Sequence, residues 1–134
     1  MNKILVDTSV WIDAFNGKES WQTKLLGKLI DNDVNIVLCP VIVREILQGI
    51  KEDKDFKSIK ENLSDFEMLV IDPLEAAYGS ASLYRNIRKQ GVTIRKSNDC
   101  LIAFYAITHK AILLHDDDFN KIAHYSSLKI LCDE

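Results

Sequence analysis

Two prolines and five glycines among 134 residues leave few natural breaks in this chain, and no segment is rich in Gly, Ser or Pro. That scarcity excludes a flexible linker or a low-complexity arm, and no internal repeat is present, so one domain over residues 1–134 is expected. Cysteine is scarce as well. Cys39, Cys100 and Cys132 are odd in number, show no CxxC spacing and sit among apolar neighbours, which reads as reduced thiols rather than a disulfide framework or a zinc site. No apolar run reaches the roughly 18 residues that a spanning helix needs. The opening MNKILVDTS is too short and too weakly basic for a secretion signal, so a cytoplasmic protein without a membrane anchor is expected. Positive charge does not dominate either. With 17 Lys and Arg against 20 Asp and Glu, the net charge is −3, which argues against a surface coated for nonspecific nucleic-acid binding and leaves room only for a local basic patch.

What is present is alternation. KILVD (3–7), VNIVLC (34–39), EMLVI (67–71), AILLH (111–115) and LKILC (128–132) are short, nearly continuous apolar runs, the pattern of strands buried on both faces. Helical segments lie between them: SVWIDAF after Thr8, SWQTKLLGKLI, PVIVREILQGI from Pro40 to about Gly49, and a polar surface helix over 52–64. PLEAAYGSASLYRNIRKQ then runs from Pro73 to Gly91, and Ser97 is placed as the N-cap of NDCLIAFYAITHK. Strands alternating with helices predict an α/β protein, a three-layer α/β/α sandwich with a mostly parallel sheet. The direction of the last strand stays open.

Acidic residues then fall at informative places. Asp7 ends the first strand, and Asp116, Asp117 and Asp118 follow the fourth. Ligands of open parallel sheets bind beyond the carboxyl ends of the strands. Glu45 lies about one turn into a helix that starts at that edge, and Asp99 lies in the first turn of the helix leading into the fourth strand, which must start at the same edge. Each acid also has a plain structural reading, since Asp7 and Asp99 suit helix N-termini. Glu45 is harder to explain that way, because its neighbours at helical spacing (Val41, Ile42, Gln48 and Gly49) include no cation. Two like charges about 4 Å apart cost roughly 4 kcal/mol at an effective dielectric near 20. A hard divalent cation, Mg²⁺ or Mn²⁺, relieves that repulsion, whereas the three histidines form no zinc pattern.

ILVDTSVWID, VIVREILQG, SNDCLIAFYA and LLHDDDFNKIA, in this order across essentially the whole chain, resemble the four acidic motifs of PIN-domain ribonucleases of the VapC toxin type. The resemblance implies a PIN-like fold and a metal-dependent endoribonuclease. Asp7, Glu45, Asp99, Asp116 and Asp118 would be its catalytic acids, with Asp7, Asp99 and Asp118 on Mg²⁺ or Mn²⁺. The family's last motif reads acid, any residue, acid, phenylalanine. Asp116 and Asp118 fit it, with Asp117 as an intervening surface charge; a register shifted by one would put Asp117 in place of Asp116. Thr8 and Ser9 either cap the first helix, the default, or bond to the site, and His115 is either an ordinary strand-end histidine, the default, or a group that touches the site.

Arg85, Arg95 and Lys96 are the candidate RNA contacts, with Arg88 and Lys89 at a solvated helix end. Trp11, Ile12 and Phe15 share one side of the first helix. Core packing is the default for them, but the resemblance also implies an apolar surface for a VapB-type antitoxin, homodimers, and transfer RNA as the leading substrate. Two rivals remain at this point. One is a Mg-dependent phosphatase-like or receiver-like domain, with Asp72 as a possible phosphoacceptor. The other is a non-catalytic PIN fold that binds RNA or a partner.

Overall fold

Residues 2–116 and 118–132 are described by a computed structural model, so Asp117 lies outside the described residues. The apolar runs form a five-stranded sheet of β1 (Ile4–Val6), β2 (Ile36–Leu38), β3 (Glu67–Met68), β4 (Ile112–Leu114) and β5 (Lys129–Ile130). The order is β3-β2-β1-β4-β5 and every pairing is parallel, the last strand included. Parallel neighbours need long return paths, which helices supply. α1 (Thr8–Phe15) and α2 (Trp21–Asp31) connect β1 to β2, and α3 (Pro40–Gln48) and α4 (Asp53–Leu63) connect β2 to β3. α5 (Pro73–Lys89) and α6 (Ser97–His109) lead to β4, and α7 (Asn120–His124) leads to β5. The result is the three-layer α/β/α sandwich that the alternation predicts.

The central strands explain their own composition. Leu5, Val6, Val37, Leu38, Leu113 and Leu114 have 0% exposure, because helices cover both faces of β1, β2 and β4. The third run departs from expectation. Only Glu67–Met68 is strand, both residues are exposed, and Val70 is 69% exposed. β3 is an edge strand with one neighbour. Once Leu69 has donated to the Leu38 carbonyl at 2.7 Å, the chain leaves the sheet for the helix that opens at Pro73.

Ser97 is also displaced from its expected role. Lys96 occupies the cap position, and Ser97 is the first helical residue without a side-chain capping bond. Gly91, at φ +86°, makes the reversal after α5 that lays residues 92–96 along the sheet rim. Among the described residues no helix is long and apolar enough to cross a membrane.

Candidate active site

The Asp7 amide donates to the Leu114 carbonyl at 2.9 Å, so the pairing of β1 with β4 runs to the rim and sets Asp7 beside the end of β4. The Asp7 side chain caps α1. It accepts from the Ser9 amide at 3.3 Å and from the Ser9 hydroxyl at 2.6 Å, and only 6% of the residue is exposed. Asp99 sits in the first turn of α6, where the helix dipole favours negative charge, and is 9% exposed. The capping reading of Asp7 is therefore met, through its Oδ2.

Charge accumulates between these two acids. Burial pushes Asp7 from 3.8 up to about 6; Ser9's hydrogen bonds oppose the rise and the Asp116 charge adds to it. Asp99 is pushed up to about 7, first by burial, then by the charges of Asp7 and Asp118, with Lys96 opposing and Glu45 adding. Asp7 thus lies in the field of Asp116, and Asp99 in the fields of Asp7, Asp118 and Glu45. Cys39, buried at the end of β2, is pushed up to about 12 by burial, and the Asp7 and Glu45 charges raise it further. That thiol is protonated and inert.

Glu45 is half-buried on α3 and is not without a partner: the Thr8 hydroxyl donates to its Oε1 at 2.8 Å. Of the two roles open to Thr8 and Ser9, their hydroxyls take the bond to the acids, Thr8 to Glu45 and Ser9 to Asp7. Asp116 and Asp118 are exposed, and Asp118 Oδ2 receives the Lys96 ammonium at 3.1 Å. His115 is buried, with its ring against Phe119 at 5.5 Å between centroids.

Beside the acids lies a cleft of about 290 Å³ that places Arg95, Lys96 and Lys121 next to Asp99 and Asp118. Of the expected RNA contacts, Arg95 and Lys96 line it. Arg85 does not, and Arg88 is engaged with the Thr93 hydroxyl at its wall. Lys121 was not singled out by the sequence reading. The signal was available, since a helix that follows β4 through a short loop starts at the same rim as the acids.

Among the described residues no group of three or more His, Cys, Asp and Glu side chains is already arranged as a metal cage. The donor chemistry still suits a hard cation. Every donor is a carboxylate oxygen, two are buried and carry unfavourable charge, and Mg²⁺ commonly takes one or two carboxylates with water completing its shell.

The PIN domain family model matches residues 4–125. The chain belongs to the PIN domain family. This PIN domain is 34% identical over 128 residues to Ribonuclease VapC11 of Mycobacterium tuberculosis, covering 94% of this chain and 96% of that one. A VapC ribonuclease of Mycobacterium bovis matches to the same extent. In fold, it is similar to the crystal structure of VapBC2 from Rickettsia felis bound to a promoter DNA fragment. The TM-score is 0.75 at 20% identity, covering 96% of this chain and 97% of that one. Family membership sets aside the phosphatase and receiver readings. The geometry agrees, because Asp72 caps α5 by accepting from the amides of Leu74 and Glu75 at 3.1 Å, next to the outer strand β3.

Proposed function

We propose that this PIN domain is a metal-dependent endoribonuclease, the toxin of a toxin–antitoxin pair, which cleaves transfer RNA or another structured RNA. One observation carries the reading. Two buried carboxylates, Asp7 and Asp99, share a rim with a cleft lined by cations, and their charges are left unfavourable by burial and by each other. The names of the mycobacterial relatives support the ribonuclease activity.

Asp7, Asp99 and Asp118 would hold Mg²⁺ or Mn²⁺, which when bound supplies positive charge to the scissile phosphate and lowers the pKa of a water. Glu45, fixed by Thr8, and Asp118 orient the attacking water. Asp116 adds negative charge on the Asp7 side. Arg95 and Lys96 hold the RNA backbone; Lys96 leaves Asp118 to do so. The VapBC complexes among the structural neighbours support a VapB-type antitoxin. Ile12 (36% exposed) and Phe15 (47%) on α1 offer it apolar surface, whereas Trp11 is core. Exposed Leu74 and Tyr78 on α5 support pairing as a homodimer.

The test is cleavage of total RNA with Mn²⁺ present and absent. Cleavage should require the ion and disappear in Asp7→Asn and Asp99→Asn variants that remain folded. Unchanged cutting in those variants overturns the assignment. Sequencing the cut ends after brief expression identifies the RNA.

A further inference from the structure

A second groove, of about 600 Å³, adjoins the cationic cleft and shares Thr93 and Lys121 with it. Its other walls include Asn120, His124 and Tyr125. Tyr125 is 39% exposed at the end of α7, and its ring meets that of His124 at 85° with centroids 4.6 Å apart. We propose that this groove seats one unpaired base of the bound RNA, stacked on Tyr125, while the phosphate attached to it lies on Lys121 and Arg95. The proposal rests on the ribonuclease reading and extends it to how the strand is gripped.

Three features argue for a nucleotide. The first is continuity: a strand whose phosphate reaches the acids through the cationic cleft must place the neighbouring nucleotide beyond Lys121, where the groove lies. The second is chemistry, since Tyr and His faces stack unpaired bases of any sequence and an Asn amide meets base edges through both donor and acceptor.

The third is preorganisation. The Tyr125 amide donates to the Ile122 carbonyl at 3.2 Å, and Ile122 is fully buried. The Ser126 hydroxyl donates to the same carbonyl at 2.6 Å and accepts from the Leu128 amide at 3.2 Å. Across the groove, Arg88 steadies Thr93. The backbone that carries the aromatic wall is therefore held before any ligand arrives, and the adjoining cations favour a polyanion over a neutral or basic peptide.

The experiment titrates the wild-type chain, with chelator present so that RNA stays intact, with a short single-stranded oligoribonucleotide carrying 2-aminopurine at successive positions. One position next to the cut site should lose fluorescence on binding. Tyr125→Ala should weaken binding roughly tenfold and abolish that quench. Tyr125→Leu, which keeps apolar bulk without an aromatic face, should do the same, and Tyr125→Phe should preserve both. Lys121→Gln should weaken binding and its salt dependence while the quench remains.

RNA binding unchanged in a folded Tyr125→Ala or Tyr125→Leu protein overturns the base site and leaves the nuclease reading intact. So does a loss confined to antitoxin binding, which would make the groove a protein contact. A wild-type protein that neither binds nor cuts RNA removes the nuclease reading and this one with it.

Discussion

Asp7 and Asp99 carry the sharpest consequence at the residue scale. Their folded pKa values lie above the ordinary 3.8, so their contribution to stability is present below about pH 4 and is lost as pH rises through 6 and 7. The shifts correspond to about 3 kcal/mol at Asp7 and about 4 kcal/mol at Asp99. The metal-free protein should accordingly melt at higher temperature near pH 5 than at pH 8, and Asp99→Asn should flatten that slope while raising the melting temperature at pH 8. Mn²⁺ bound as proposed requires the deprotonated acids, so on that proposal its stabilisation should grow over the same interval. Melting curves across pH, with and without the ion, check both statements. Thr8 belongs at this scale too. Thr8→Val removes the donor to Glu45 and should cost about 1 kcal/mol in denaturant unfolding, as expected for an intramolecular hydrogen bond, while Thr8→Ser keeps it.

At the scale of elements, the packing of α5 on α6 turns on Gly79. A methyl group there would be built into the ring of Phe104 on α6. The ring must move, and the loss of that contact outweighs the gain in helix propensity from replacing glycine. Gly79→Ala is expected to destabilise by about 1 kcal/mol, and the penalty should vanish in a Phe104→Ala background, as a double-mutant cycle would show. Elements also separate what the chain makes legible from what it hides. β1, β2 and β4 are readable because central parallel strands are apolar throughout. β3 is not, because EMLVI has the composition of a strand but only one neighbour to pair with. Ser97 has the chemistry of an N-cap, yet the chain enters α6 one residue earlier.

Over the whole molecule, a net charge of −3 coexists with a cleft holding Arg95, Lys96 and Lys121. The proposed RNA binding should therefore weaken steeply with salt, and Arg95→Ala should lower the slope of log K against log salt by roughly 0.7, the figure for one phosphate contact to a single strand. Filter binding between low and physiological salt measures this. Arg85, which lies outside the cleft, should change the slope little when replaced by alanine.

The sequence by itself determined the alternation of strands and helices and the placing of acids at strand ends and helix starts, because apolar periodicity and the polarity of a parallel sheet are local properties. It could not determine that β1 lies between β2 and β4, since the order of strands depends on packing among distant segments. That order decided the rest. It set Asp7 against Asp99, delivered Thr8 to Glu45, drew Lys96 onto Asp118, and laid the Thr93 segment beside Lys121 and Tyr125. These are contacts between residues 22 to 92 positions apart, or across a loop whose path is fixed only when the core closes.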